Sequence, residues 1–512
     1  MALVALGTEM GASARRAPPV PDPTTMKPQT RQAVFLAAGF ALLRGLFLLK
    51  AGVAPEAAYF YICGEHPAWG YFDGPAGTAL LVRSVAAWGG SVWLLLGPLA
   101  GFAASLAAWR LAARLFDPGT ATWSLLALNL LPVFNAAAFV PGPLLPALTF
   151  SLVGAASVWD ASRLQHGGFL GWLVAGIAFA GASLFAYWSA LFALACLLVP
   201  FSRRVARKPA AIFGAVVAGV LTFSALYPSW LWLQTQDGIP IKQWTFTSLT
   251  QWNFFSLGIG VADLLLGLSP ILGIALIFAF VSGCRRSRGH PAEAFAIAAA
   301  LPGLLLGALW MYRGWEASQM ALPSAAILLA PSCRMLPRWM LMLALALAAA
   351  LTVPIWLTQP REAARAREAA NIVLTLDEKL APDLVGGIFL IAEDAPLASA
   401  LGYYLRNDFI APSGQPRVFA AASQDQSDQF SLWGSYDQFI ETDEPPNEFF
   451  TEVKAVNPFI GHPALYVGTE PPENLPTKIR SAFSEVQLVR EVGTGEDRLL
   501  IYLCLDYQTL PL

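Results

Sequence analysis

The chain has 512 residues, 56% of them hydrophobic and 13% charged, with a net charge of −2. Soluble domains carry roughly 25% charged residues, so half that fraction beside 17 tryptophans marks a polytopic membrane protein. The near-neutral balance gives no sign of a nucleic-acid partner, and five scattered cysteines without a C-x-x-C pair exclude a zinc ribbon or a disulfide framework. Cys63 and Cys504 alone fall where they would face the same aqueous side, and a bridge between them is not expected.

The opening "MALVALGTEMGASARRAPPVPDPTTMKPQTR" is too polar and too rich in proline for the apolar core of a signal peptide. It reads as a disordered cytoplasmic tail over residues 1–31, followed by a first apolar run that would stay in place as a signal anchor. A helix needs roughly 20 apolar residues to cross the hydrocarbon. About eleven candidate spans follow, near 32–53, 91–109, 119–139, 143–159, 168–184, 186–200, 209–233, 257–283, 292–312, 320–333 and 338–357. The turns at Pro141 and Ala186 are very short, and the tenth span is short enough to be tilted or broken.

Positive charge sets the orientation of such a bundle. Arg15, Arg16, Lys27 and Arg31 precede the first span. Alternate loops then carry Arg110 and Arg114, Arg163, "SRRVARK" at 202–208, "CRRSRG" at 284–289, and Arg334 with Arg338. The loops between them are acidic, neutral or aromatic, and eleven spans preserve that parity. The N-terminus is therefore expected in the cytoplasm. The first loop (54–90) and everything beyond residue 357 are expected outside, which in a bacterium means the periplasmic face of the inner membrane.

Beyond residue 358 the character changes. "REAARAREAANIVLTLDEKLAPD" is charged and helix-forming, and "VGGIFLIAED", "QPRVFAA", "HPALYVGTE" and "RLLIYLCLDY" are short runs rich in β-formers. "APLASALGYYLR" and "LPTKIRSAF" have helical spacing. The reading is a C-terminal α/β domain over 358–512, of ordinary size for one unit, appended to an α-helical membrane domain over 32–357. No internal repeat or low-complexity tract stands out.

The first loop contains "PEAAYFYICGEHPAWGYFDGP", which sets Glu56, Glu65, His66 and Asp73 among aromatic rings at the membrane boundary. Two readings compete. The aromatic residues can settle at headgroup depth as an interfacial anchor whose acids merely face water. Alternatively, the carboxylates form a site that meets a lipid-linked substrate at the membrane surface.

An acid before "AYFY", followed by "HPAWGYFDGP", resembles the GT-C class of membrane glycosyltransferases. The bacterial branch akin to dolichyl-phosphate-mannose–protein mannosyltransferases and to the aminoarabinose transferases of lipid A is the nearest in pattern. Its usual form is Asp-Glu-Ala-Tyr-Tyr, a spacer, then Trp-Gly-Tyr-x-Asp-x-Pro-Pro. Further stretches follow in the family's order: "RLAARLFDPGTATWSLLALNLLPVF", "FVPGPLLPALTFSL", "YPSWLWLQTQDG", "LLLGLSPILG", "RGWEASQMALPSAAIL" and the tail "SDQFSLWGSYDQF…HPALYVGTE". The likeness runs along nearly the whole chain.

The resemblance implies transfer of a sugar, with inversion, from a polyprenyl-phosphate donor to a hydroxyl or amine of a lipid, glycan or protein. A carboxylate must take the acceptor's proton, and a cation must stabilise the departing phosphate. Glu56 stands at the family's general base. Asp73 stands at the acid tied to metal or phosphate handling, and Glu65 with His66 would complete a divalent metal site with it. From the residues themselves, Arg313 at the outer end of a span would either hold the lipid phosphate or snorkel to the interface, Arg83 is either a cation beneath the first-loop acids or a surface residue, and Asp237, Lys242 and Trp244 would line the donor groove; Glu316 is kept in the late loop.

Other polar positions depart from the family. Ala57 replaces the neighbouring Glu, Gly74 the usual His or Lys, and Gly142 an acid. Leu233 with Gln236 and Ser318 with Gln319 replace further motif residues. These losses motivate the alternative of a catalytically silent relative that binds a lipid-linked glycan or a partner enzyme. A transporter is disfavoured because no mid-span charge or broken-helix repeat stands out.

Overall fold

The computed structural model describes residues 28–163, 168–202, 209–242, 254–380, 388–408, 416–421, 428–437, 440–441, 455–493 and 498–508. The helices before the late bend are α1 (Pro28–Ala51), α2 (Pro55–Glu65), α3 (Gly77–Ala86), α4 (Leu96–Leu115), α5 (Pro118–Leu130), α6 (Pro132–Phe139), α7 (Leu144–Arg163), α8 (Phe169–Ser183), α9 (Trp188–Ser202) and α10 (Pro209–Thr235). They are followed by α11 (Phe254–Leu268), α12 (Pro270–Arg286), α13 (Pro291–Leu309), α14 (Trp315–Met335) and α15 (Arg338–Leu380). Among the described residues six helices are long and apolar enough to cross a membrane, or up to eight if each of two bent pairs is one span. The chain is thus a multi-pass membrane protein by the length and composition of its helices. The expected spans at 168–184 and 186–200 form the shorter apolar helices α8 and α9.

Two expected single spans are broken, and the sequence reasons are local. The run near 119–139 is α5 and α6, bent by 66°. Leu131 has ψ 131°, the extended conformation that a following proline imposes. The run near 257–283 is α11 and α12, bent by 97°. Ser269 sits there at φ 63° directly before Pro270, and both features oppose continuing a helix.

The first bend is held by a charge that the sequence reading did not single out. Arg44 lies inside α1, 1% exposed. Its guanidinium donates to Asn129 Oδ1 (3.0 Å), to the Asn129 carbonyl (2.9 Å) and to Asn135 Oδ1 (2.9 and 3.1 Å). Asn129 in turn donates to Ser105 (2.8 Å) on α4, and Asn135 to the carbonyls of Asn129 and Leu131. A helix broken in an apolar medium exposes carbonyls that must find donors, and this network supplies them. The mid-span charge and broken helices are therefore present, which corrects the reason given above against a transporter. Here they serve the bend.

The packing core runs from α4 through α5, α7 and α8 to α14, with Leu128, Leu148, Leu152, Phe179, Leu322 and Leu329 fully enclosed. α15 is 43 residues long and runs unbroken past Pro354 and Pro360. The expected domain start at 358 falls inside it. Its distal turns bury Ala363, Ala366, Ala369, Ala370 and Val373 against the C-terminal layer, whose helix α16 is Ala395–Tyr404.

A mixed five-stranded sheet follows in the order β4-β3-β7-β9-β8, where β3 is Phe389–Ala392, β4 Phe419–Ala420, β7 Ala464–Gly468, β8 Phe483–Val492 and β9 Leu499–Tyr507, while β5 (Ile440–Glu441) and β6 (Ala455–Val456) form a separate antiparallel pair. β3 pairs in parallel with β4 and β7, while β9 is antiparallel to both of its neighbours. β7 is buried at all five positions, as its unbroken apolar run "ALYVG" requires for a strand covered on both faces. Cys63 and Cys504 are both free and buried.

Candidate functional site

α2 starts with proline in its first turn, where the missing N–H is no loss, and Glu56 occupies the same turn, where the helix dipole favours an acid. Glu56 is exposed. Residues 56, 59, 60 and 63 share one helix face. The last three of these, Tyr59, Phe60 and Cys63, line a recess with Asp73, Thr78, Pro143 and Phe185.

Asp73 reaches that recess from a tight hairpin. β1 (Gly70–Tyr71) and β2 (Gly74–Pro75) pair antiparallel, with Tyr71 opposite Gly74, so Phe72 and Asp73 form the two-residue loop. The hairpin is fixed from below and from the side. The Tyr71 hydroxyl donates to the Cys63 carbonyl at 2.8 Å and accepts from the Ala68 N–H at 3.1 Å. Ser229 on α10 donates to the Trp69 carbonyl at 2.7 Å. Gly70 lies so close to Trp232 that a Cβ there would come within 2.5 Å of the indole. Gly77 is equally confined: its N–H donates to the Leu184 carbonyl at 2.8 Å, and a Cβ would stand 2.3 Å from that oxygen.

The Tyr59 hydroxyl donates to Asp73 Oδ2. Asp73 opens to water at the rim, yet the protein crowds its carboxyl. Desolvation raises its pKa above the ordinary carboxylate value, the Tyr59 bond opposes this, Asp428 and Glu316 raise it further, and Arg313 lowers it. Glu316, Arg313 and Asp428 thus all lie within electrostatic reach of Asp73. Arg313 is already engaged, with its Nη1 2.8 Å from Glu316 Oε2. The Thr78 hydroxyl, 4% exposed, points a polar atom into this region with no protein partner among the described residues.

Other sequence-derived candidates sit elsewhere. Glu65 accepts two bonds from the Arg417 guanidinium (2.5 and 3.2 Å). The His66 ring lies 4.8 Å from that of Trp433. Both therefore fasten the first loop to the C-terminal domain. With Asp73 bound to Tyr59, the three do not assemble as metal ligands, and no group of three or more His, Cys, Asp or Glu does so among the described residues. Glu65, His66 and Asp73 therefore do not form a divalent-ion site together. Arg83 is exposed on α3 where that helix crosses Gly64. Asp237, at φ 51°, is exposed in the turn after α10, and Lys242 is exposed in the helical residues that follow it. Trp244 lies outside the described residues.

Gln429 and Asp428 carried no local signal in the sequence. Tyr59 did, since it follows Glu56 by three residues on a helix.

His66 gives a pH prediction for the docking of the C-terminal domain. Burial against Trp433 lowers its pKa; Glu65 raises it and Arg417 lowers it. Its neutral form is favoured in the fold, so its contribution is complete above the unfolded value of about 6.5 and is lost as pH falls from there through the depressed folded value. Limited proteolysis between the domains should accelerate on acidification below about pH 6.5, and His66→Phe should flatten that component.

No family model matches the chain, and no curated protein matches its sequence. Solved structures do match its shape. ArnT from Cupriavidus metallidurans bound to undecaprenyl phosphate aligns with a TM-score of 0.53 and 15% identity, covering 94% of this chain and 99% of that one. Its apo state gives 0.52 and 14%, covering 92% and 97%. The Archaeoglobus fulgidus oligosaccharyltransferase in its apo form gives 0.42 and 12%, covering 67% and 57%. The fold is the one the two ArnT structures share, in agreement with the GT-C resemblance read from the sequence. The likeness to ArnT extends over nearly the whole chain, 94% of it.

Proposed function

We propose that the chain transfers a sugar from a polyprenyl-phosphate donor to a lipid, glycan or protein acceptor at the membrane surface. The observation that carries this reading is the recess of the first loop. There Tyr59 and Asp73 line the recess, Arg313 and Glu316 lie within electrostatic reach of Asp73, and Glu56 sits one turn before Tyr59 on α2, on a fold shared with a protein bound to undecaprenyl phosphate. Glu56 is the general base: it stands exposed at the helix start, on the face that carries Asp73's partner. Asp73, held by Tyr59 and crowded by other carboxylates, binds polar groups of the donor rather than its phosphate, because the local charge is negative. Arg313, tempered by Glu316 and within electrostatic reach of Asp73, is the cation for the departing lipid phosphate. Arg83, Asp237 and Lys242 fill outer parts of the donor path.

The expected topology belongs to the same reading. Eleven spans put residues 1–31 in the cytoplasm, and the first loop (54–90) and the domain from 358 on the periplasmic side of a bacterial inner membrane. The silent-relative reading draws on Gly142, which stands where the family has an acid and abuts Phe60, 3.5 Å from a Cβ built there.

Purified protein incubated with undecaprenyl-phosphate-linked sugars and extracted membrane acceptors tests both. Product formed by the parent and not by Glu56→Gln supports the transferase. Donor bound without turnover, unchanged by that substitution, supports the silent relative. Absence of donor binding overturns both.

A further inference from the structure

The C-terminal domain contributes one buried polar side chain to the first loop, and its position is informative. Gln429 is 2% exposed, and its Oε1 accepts the backbone N–H of Phe72 at 2.7 Å. Phe72 is itself buried and is one of the two loop residues of the hairpin, directly before Asp73. The segment carrying Gln429 is a turn closed between Asp428 and Ser431. Asp428 Oδ1 accepts from the Ser431 N–H (2.9 Å) and the Ser431 hydroxyl donates back to the Asp428 carbonyl (2.6 Å). Two residues further on, Trp433 packs on His66 and against the Cys63–Tyr71 cluster. The hairpin is thus gripped at its base by Tyr71, from α10 by Ser229, and at its tip by Gln429.

We infer that Gln429 is a positioning residue for the reaction. By accepting the Phe72 N–H it fixes the loop tip, so that the Asp73 carboxyl meets the Tyr59 hydroxyl and faces the recess. The C-terminal domain is then part of the catalytic apparatus and not an appendage. This rests on the transferase reading for Asp73. The physical ground is that a two-residue hairpin alone is weakly held, whereas a misplacement of about 1 Å in a reacting site can cost on the order of 100-fold in rate.

The test compares Gln429→Ala with Gln429→Glu in the full-length chain. Glu keeps the acceptor; Ala removes it. Amide hydrogen exchange across residues 69–75 is read first. In Gln429→Ala the Phe72 amide should exchange about tenfold faster or more, as loss of one buried hydrogen bond implies, while amides of the five-stranded sheet keep their protection. In Gln429→Glu it should stay slow. With an undecaprenyl-phosphate-linked sugar that the parent turns over, kcat should fall in Gln429→Ala and recover in Gln429→Glu, with KM for the acceptor little changed. A merely structural role would move the sheet amides and treat the two variants alike. Unchanged Phe72 exchange in Gln429→Ala overturns the inference, as does unchanged kcat. A parent that turns over no such donor overturns the transferase reading instead, and leaves the exchange result to decide whether Gln429 tethers the hairpin.

Discussion

Arg44→Leu should be the most damaging single substitution in the membrane domain. The change leaves the side-chain oxygens of Asn129 and Asn135 without their guanidinium donors, and both residues are buried, at 1% and 4% exposure. A buried acceptor stripped of its partner costs about 1–3 kcal/mol, so two cost about 2–6 kcal/mol, a large part of ordinary protein stability. The thermal midpoint of the detergent-purified variant should fall sharply, and so should its yield in membranes. Arg44→Lys should be intermediate, because an ammonium cannot span three acceptors with a planar fork. The triple replacement of Arg44, Asn129 and Asn135 by leucine should recover much of the loss, since exchanging a whole buried polar network for apolar groups is often close to neutral. Additive losses across the triple variant would show that the network does not act as one unit.

Glu56→Gln should do the opposite: no loss of fold and near-complete loss of turnover. Glu56 is exposed, so the amide isostere removes no packing. A positioned general base contributes typically 10²–10⁴-fold, and turnover of an undecaprenyl-phosphate-linked sugar should drop by about that much at an unchanged thermal midpoint. Glu56→Asp should also lose on the order of 100-fold, because shortening the arm by one methylene displaces the carboxylate by over about 1 Å. Full activity in Glu56→Gln would remove Glu56 from the chemistry.

Asp73 adds a dependence of the opposite sign to that of His66. Its pKa is raised in the fold, chiefly by desolvation. Its contribution to stability is therefore complete at acid pH and is lost as pH rises from the unfolded carboxylate value through the raised folded one. The two groups pull apart: acidification loosens the His66–Trp433 contact and relieves the desolvation and like-charge crowding of Asp73.

The membrane character, the helix pattern, the acidic aromatic first loop and the α/β tail follow from the amino-acid sequence by itself. All of these are local in origin: hydrophobic run length selects helices that can span a membrane, and β-rich runs select strands. The acids Glu56 and Asp73 were legible for the same reason, as carboxylates set among aromatic residues at a boundary. Tertiary structure alone decided what those acids meet. Glu65 and His66 read as ligands beside Asp73, yet Arg417 and Trp433, more than 350 residues further along the chain, take them. Arg44 read as one more residue of an apolar run until the bend at Pro132 placed Asn129 and Asn135 around it. Run length and periodicity record the solvent that each segment prefers. Pairing across hundreds of residues is set by how the packed elements meet, and no short stretch of sequence encodes that.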